Sequence, residues 1–474
     1  MRFAWRVNDV RAAEEALMKT VPEGALMQRA AAGLARRCAL LLEERGGVYG
    51  SRVLLLVGAG NNGGDALYAG AALARRGAAV RALLLAPERV HQAGLAALER
   101  AGGGLVDAVP NQVDLAVDGI VGLGGSGGLR PDAEAVARLL AARRTRVVAV
   151  DVPSGVDVDT GGLPGPAVRA DVTVTFGCLK PALVVGPAAS YAGEVELVDI
   201  GLGPWLRTDA AVAVPEWSDI EGWWPRLGAE SEKYTRGVVG IATGSALYPG
   251  AAVLSVAGAL AGPTGMVRYA GGAAGHVLRA HPSVIATKRV ADAGRVQAWV
   301  CGSGLGTDDA AAKELRTVLA TSLPVVLDAD ALTLLVNGSM ADQLRRRDAP
   351  IVVTPHDREF ARLAGGEPGS DRVGAALQLA SWMNAVVLLK GDRTVVATPA
   401  GRAWANPTGT PALATGGTGD VLAGLLGSLL AARLTPERAA VSAAYLHGLA
   451  GREAARRGPV TASDVAAALR QVVP

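Results

Sequence analysis

Short apolar runs rich in Val, Leu and Ile alternate with Ala- and Leu-rich stretches of helical period through most of the chain. Runs that are apolar on both faces are what a parallel sheet covered by helices requires, so the pattern predicts α/β layering. In the first half it places strands near residues 53–57, 80–85, 114–118, 147–150 and 172–176, with helices from Asp65 to about 76 and from about 132 to 142. In the second half strands fall near 238–242, 297–301, 325–327, 351–353 and 386–389, with helices near 251–260, 309–320 and 421–432. Between the halves the period fails. Residues 204–233 hold Pro204, Pro215 and Pro225 and the tryptophans Trp217, Trp223 and Trp224. This break predicts domains of 1–215 and 232–474 around a linker of 216–231. The tryptophans read either as a lid or, better, as linker side chains packed against one domain.

Composition narrows the class. A chain of 474 residues is long enough for two α/β domains, and with 50% apolar but only 4% aromatic residues their cores must be built from Ala, Val and Leu. The formal charge is only +3 with both signs interleaved, which excludes the concentrated basic face of a nucleic-acid binder. Cys38, Cys178 and Cys301 are isolated and the histidines have no ligand spacing, so no zinc site is expected and a reducing cytosol suits the thiols. The first residues lack the apolar core of a leader, and charged or glycine residues interrupt every apolar run, so a cytoplasmic chain without a membrane span is expected.

Three oxygen- and glycine-rich loops follow successive strands of the first half, where open α/β sheets bind ligands. Gly58-Ala-Gly-Asn-Asn-Gly-Gly-Asp65 opens a helix, whose free N–H groups suit a pyrophosphate; the plainer reading makes Asp65 its N-cap. Asp118-Gly-Ile-Val-Gly-Leu-Gly-Gly-Ser-Gly-Gly128 can wrap a phosphate, and Asp151-Val-Pro-Ser-Gly155 sets a carboxylate at a strand end. With Leu26-Met-Gln-Arg-Ala30 and Thr175-Phe-Gly-Cys-Leu-Lys180, these loops resemble the NAD(P)H-hydrate epimerase family over about residues 5–205. The resemblance implies a Rossmann-like three-layer αβα domain. In it Asn61, Asn62, Gly63, Gly64 and Asp65, with Gly122, Leu123, Gly124, Gly125, Ser126, Gly127 and Gly128, hold the hydrated dinucleotide. It further implies a potassium site at Asn62, Asp118 and Ser154, and Asp151 as the acid–base residue. The family has Thr where Leu123 stands and Gly where Ala66 stands. The chemistry needs little more, because the ring nitrogen beside the hydroxyl-bearing carbon can expel and readmit oxygen while a carboxylate shuttles the proton.

In the second half, Ala414-Thr-Gly-Gly-Thr-Gly-Asp420 leads into an apolar helix. Gly416, Gly417, Thr418 and Gly419 offer N–H groups to a transferring phosphoryl group, and Asp420 is placed to take a proton from an attacking hydroxyl. Lys390, Gly391, Asp392, Arg393 and Thr394 follow a strand and suit a nucleotide. His356, in Thr354-Pro-His-Asp-Arg-Glu-Phe360, reads as a ligand contact in preference to a structural histidine. With Gly302-Ser-Gly-Leu-Gly306 and Asp328-Ala-Asp-Ala-Leu332, these segments resemble the ADP-dependent NAD(P)H-hydrate dehydratases of the ribokinase-like superfamily over about residues 232–474. That likeness implies a ribokinase-like αβα domain in which Ala251, Gly306, His356 and Asp420 contact the hydrate. It implies that Lys390 to Thr394 and Gly416 to Gly419 contact ADP or ATP, with Mg²⁺ neutralising charge. Thr333 stands where the family has Asn.

Together the halves are expected to interconvert the epimers of hydrated NADH or NADPH and to dehydrate one of them using an adenine nucleotide, in a homo-oligomer. Two other readings fit parts of the chain. One is a kinase of a vitamin precursor or sugar with a dinucleotide-binding first half, which would release a stable phosphorylated product. The other makes the first half a non-enzymatic dinucleotide sensor, against which Asp151 argues.

Overall fold

The computed structural model describes residues 1–125, 127–336 and 339–474, and it divides into two compact units, one of Phe3–Val212 and one of Met1–Arg2 with Ala213–Pro474. After a short first strand, β1 (Arg2–Ala4), the N-terminal unit is built on β2 (Arg52–Val57), β3 (Ala79–Leu84), β4 (Gly104–Val106), β5 (Leu115–Gly119), β6 (Arg146–Val150), β7 (Val172–Phe176) and β8 (Glu194–Val198). These seven are parallel in the order β4-β3-β2-β5-β6-β7-β8. The order reverses between β2 and β5, which opens a crevice at their carboxyl ends. Helices Ala25–Glu43 and Asn61–Arg75 cover one face and Pro131–Ala142 the other, each through its apolar stripe.

The C-terminal unit carries β9 (Val212–Val214), β10 (Val238–Ala242), β11 (Met266–Ala270), β12 (Ile285–Thr287), β13 (Ala298–Cys301), β14 (Val325–Leu327), β15 (Ile351–Val353), β16 (Val386–Leu389), β17 (Val395–Ala397) and β18 (Ala403–Ala405). Its sheet runs β18-β17-β16-β15-β14-β13-β10-β11-β12, with β9 and β1 extending the β18 edge. Strands β10 to β16 pair in parallel, and β17 and β18 then return antiparallel. The order reverses between β13 and β10. Helices Pro249–Ala261 and Thr418–Ala431 meet backbone to backbone on one face. A Cβ on Gly258 would lie 2.1 Å from the Val421 carbonyl oxygen, and one on Gly424 would lie 1.9 Å from that of Ser255.

The apolar strands stand where the pattern predicts them to within a residue or so. Two helix starts do not. The helix expected from Asp65 begins at Asn61, and the one expected near 421 begins at Thr418. In both, a glycine with positive φ (Gly60, 77°; Gly417, 89°) ends the loop and no side chain caps the first turn, so only the last residues of each glycine-rich string lie inside the helix. Asp65 is therefore a buried second-turn residue and not the N-cap. Helix Trp217–Trp223 forms inside the stretch that lacks period. Trp223 and Trp224 pack against the C-terminal core. The Met1 ammonium reaches the same helix, 2.8 Å from Glu216 Oε2 and 3.0 Å from Asp219 Oδ2. All three cysteines are buried free thiols, pushed up by desolvation to about 12 for Cys38, 11 for Cys178 and 12 for Cys301. No helix is long and apolar enough to cross a membrane, among the described residues.

Candidate active sites

In the N-terminal unit the loops after β2, β5 and β6 converge on the crevice. Gly58 admits the close approach of β2 and β5, since a Cβ there would sit 1.9 Å from the Ile120 carbonyl oxygen. Asp118, at the end of β5, is fully buried and accepts Ser154 Oγ–H at 2.7 Å, Ser154 N–H at 2.9 Å and Ile120 N–H at 3.3 Å. Desolvation still lifts its carboxyl to about 6 against those bonds. Ser154 Oγ also accepts Val121 N–H at 2.9 Å. Asn62 lies alongside. A Cβ on Gly122 would come within 2.7 Å of its Oδ1, and its Nδ2 is buried without a hydrogen-bond partner. The three residues expected at a cation site thus come together as hydroxyl, carboxylate and amide groups, a donor set for a hard cation. Among the described residues no group of three or more His, Cys, Asp and Glu side chains could hold a metal ion.

Asp151, just past β6, is held at φ 67°, a conformation costly for a residue with a Cβ. Its Oδ1 accepts Lys180 Nζ–H at 2.5 Å, Thr175 Oγ1–H at 3.1 Å and Phe176 N–H at 3.3 Å, and both charged residues are buried. Lys180 also donates to Thr175 Oγ1 and to the Phe176 carbonyl oxygen, each at 2.9 Å. Asp65 joins this cluster with one carboxyl oxygen unpartnered, and burial, then Asp151 and Glu14, push its carboxyl well above the usual range. Asn61, Gly63 and Gly64 line the uncapped helix start, whereas Gly64 N–H is already bonded to the Gly60 carbonyl. Leu123 turns its carbonyl to Arg11 Nη2 at 3.2 Å, Gly125 N–H closes a turn on the Gly122 carbonyl, and Gly128 packs on Gly165. Gly124 and Gly127 lie in open loop, and Ser126 falls outside the described residues.

In the C-terminal unit the site forms at the carboxyl ends of β10, β13, β14, β15 and β16, over the start of helix Thr418–Ala431. Lys390, after β16, reaches Asp328 Oδ1 at 2.8 Å and Glu359 Oε2 at 3.5 Å. Burial lowers its ammonium but these two carboxylates overcome it, and the net shift is upward. Asp328 also accepts Thr354 Oγ1–H at 2.8 Å and Ser303 Oγ–H at 3.1 Å. A Cβ on Gly419 would stand 3.7 Å from Lys390 Nζ, so the helix start faces that ion pair. Asp420, in the first turn, is raised to about 7 by desolvation and then by Asp328, with Ser303 and Lys390 acting the other way. Gly416 is open on all sides, and Gly417 packs on Leu254. Thr418 spends its hydroxyl on the carbonyls of Leu413 (2.9 Å) and Thr415 (3.1 Å).

The other expected contacts divide. His356 is the N-cap of helix Asp357–Ala364. Its Nδ1 accepts the N–H groups of Arg358 and Glu359 at 3.1 and 3.3 Å, and its half-exposed ring sets Nε2 3.5 Å from Glu359 Oε1. Gly306, at φ 94°, gives its N–H to Asp330 Oδ2 at 2.9 Å, and Ala251 sits on the uncapped start of Pro249–Ala261 against Gly304. In the strand-end turn Gly391 abuts Arg372, and Asp392 turns its carbonyl to Gly409. Arg393 is tied to the Pro407 carbonyl at 3.1 Å and Thr394 to that of Gly391 at 2.9 Å, so those two side chains hold the loop inward. Sequence reasoning missed the roles of Lys180, Glu359, Ser303 and His447. His447 is buried, its Nε2 lies 2.9 Å from the Thr418 carbonyl, and desolvation lowers it to about 4.

Family models match both units: YjeF-related protein N-terminus at residues 23–182 and NAD(P)H-hydrate dehydratase at 239–471. The bifunctional NAD(P)H-hydrate repair enzyme Nnr of Mycobacterium tuberculosis is 52% identical over 441 residues, which is 93% of this chain and 91% of that one. This chain belongs to the bifunctional NAD(P)H-hydrate repair enzyme family. The Nnr enzyme of Mycobacterium leprae is 50% identical, over 97% of this chain and 96% of its own. A ribokinase-like superfamily protein from Enterococcus faecalis aligns with a TM-score of 0.50 at 24% identity, covering 56% of this chain and 96% of its own, which shows the fold of the C-terminal unit. The family's two activities therefore correspond to the two units, a YjeF-type domain followed by a ribokinase-like one.

Proposed function

We propose that the chain repairs hydrated NADH and NADPH in two steps, epimerising the hydrates in residues 1–215 and dehydrating the S form in residues 232–474, with 216–231 as linker. The observation that carries this reading is shared by both units: at a strand end of each, a buried aspartate is ion-paired to a lysine beside a helix that begins in glycines. These pairs are Asp151–Lys180 and Asp328–Lys390.

In the first step Asp151 exchanges the proton of the ring hydroxyl while Lys180 and Thr175 hold its orientation. The first-turn amides from Asn61 and the loop from Gly122 receive the dinucleotide phosphates. Potassium suits Asn62, Asp118 and Ser154, where it would supply a fixed positive charge between the phosphate-binding loops.

In the second step Asp420 takes the proton of the ring hydroxyl as that oxygen attacks the terminal phosphate of ADP or ATP. The amides of Gly416 to Gly419 and the Lys390 ammonium receive the charge that develops on the transferring group. Magnesium arriving with the nucleotide, held by the phosphates themselves, would supply further neutralisation. The ring nitrogen then expels phosphate as a carbon–nitrogen double bond forms, and loss of a proton from the adjacent ring carbon to the departing phosphate returns the pair to nitrogen and restores the dihydronicotinamide. His356 Nε2, Gly306 and Ala251 line the hydrate side. A cytoplasmic homo-oligomer without nucleic-acid partners completes this reading, and sedimentation of the pure protein tests the assembly.

The experiment is the return of dihydronicotinamide absorbance from an equilibrium mixture of hydrate epimers, with ADP or ATP and Mg²⁺, for wild type and Asp151→Ala. Complete recovery by wild type, with the variant rapidly consuming one epimer only, is expected. A stable phosphorylated product in place of recovery would favour the precursor-kinase reading.

A further inference from the structure

Inversion at the hydroxyl-bearing carbon passes through an intermediate that loses water from one face and gains it on the other. One proton must be delivered on the first face and one removed on the second. Asp151 is poorly placed to serve both, because its Oδ1 is fixed by Lys180, Thr175 and the Phe176 amide. Helix Val7–Met18 supplies another candidate. Its Val10, Ala13 and Leu17 are buried in the core, which fixes the rotation of the helix. The adjoining face then places Arg11 on the Leu123 carbonyl of the glycine-rich loop and Glu14, one turn later, toward Asp151 and Lys180. The helix is anchored at its start by Val7 N–H on Asp159 Oδ1 at 2.7 Å.

Glu14 is half-buried and makes no hydrogen bond or ion pair among the described residues. The charged groups it faces are Asp151, Lys180 and Arg11, with Asp65 beyond. Burial first and then Asp151 raise its carboxyl, against Lys180 and Arg11. Asp65, raised by burial, Asp151 and Glu14, adds a third carboxyl group to this set. Two carboxyl groups in unlike surroundings, one pinned by an ammonium and one without a partner, are what an acid and a base working together require.

We propose that Glu14 is the second acid–base group of the epimerisation, working on the ring face opposite Asp151. The assignment rests on the epimerase reading above. In one direction the Glu14 carboxyl proton passes to the hydroxyl oxygen, the carbon–oxygen bond breaks as the nitrogen lone pair forms a carbon–nitrogen double bond, and water departs. A water then adds to the opposite face, the π pair returns to nitrogen, and the excess proton passes to Asp151. The reverse direction exchanges the roles, and no oxidant or reductant is needed.

The test is the full-length protein carrying Glu14→Gln, assayed for epimerisation of the separated hydrates and for nucleotide-dependent dehydration of the S form. The expected result is a fall of about 100-fold in kcat for epimerisation with KM and dehydration unchanged. The alkaline limb of the kcat profile should vanish, and Glu14→Asp should restore part of the rate. Epimerisation by Glu14→Gln at the wild-type rate, or a loss confined to KM, would overturn the proposal. Absence of epimerisation in wild type would instead overturn the epimerase reading itself.

Discussion

Lys180 Nζ lies 2.5 Å from Asp151 Oδ1 in a pocket that buries both residues, so each charge depends on the other for its place in the fold. Removing one partner of such a pair costs about 3–5 kcal/mol, whereas removing both costs much less. Lys180→Met should therefore lower the melting temperature of the N-terminal unit and abolish epimerisation. Asp151→Asn with Lys180→Met should regain most of the stability and none of the activity. Calorimetry with the two-epimer assay checks both, and a fully stable Lys180→Met variant would refute the coupling.

Asp118 predicts how potassium and pH interact. Its folded carboxyl stands at about 6, above the ordinary value of 3.8, so its contribution to stability is full below pH 4 and is lost as pH rises through 6. A cation that binds the ionised form restores what is lost. Potassium should raise the melting temperature more at pH 8 than at pH 5, relative to the same concentration of lithium. Asn62→Ala should remove that difference, and an equal response at both values would argue against Asp118 as a ligand.

Asp420 titrates at about 7 and must be ionised to accept a proton, so dehydratase kcat should rise with pH through that value. Lys390 lowers the Asp420 value, so Lys390→Met should displace the profile to higher pH besides slowing the reaction. Asp420→Asn should cost about 10²- to 10⁴-fold in kcat with nucleotide affinity kept. Rate profiles over roughly two pH units either side of 7 test all three.

His447 gives a stability prediction of opposite sign. Its folded value of about 4 lies below the ordinary 6.5, so the native ring is neutral, and stability is lost as pH falls from 6.5 toward 4. The loss is on the order of 3 kcal/mol for the C-terminal unit. His447→Gln should flatten the dependence, as urea denaturation at pH 5 and pH 7.5 would reveal.

The glycines joining helices Pro249–Ala261 and Thr418–Ala431 set the position of Asp420. Gly424→Ala would force a Cβ against the Ser255 carbonyl and should spread the two helices. Loss of dehydration, with epimerisation unchanged, is the expected outcome in paired activity assays.

What could be read from sequence followed burial on two sides. Val325–Leu327 and Val386–Leu389 are buried throughout and sit where their composition places them. Strand Glu194–Val198 was not legible, because it lies at a sheet edge and its Glu194 and Glu196 answer Arg37 and Arg36 on helix Ala25–Glu43. The glycine strings marked both sites, but helix starts were placed late because backbone φ at Gly60 and Gly417, and not a capping side chain, begins each helix. Lys180 stands in a readable motif, but its pairing with Asp151 spans the return from β7 and leaves no local mark. Glu14 and His447 sit on helices far in sequence from the residues they face, and no local pattern marks either.

The three thiols carry a practical consequence. A sulfur with its ionisation pushed to 11 or 12 presents almost no thiolate near neutrality, so it is a poor target for peroxide, alkylating agents and mixed-disulfide formation. The folded protein should keep its activity in air without added reductant, and iodoacetamide should label it only after denaturation.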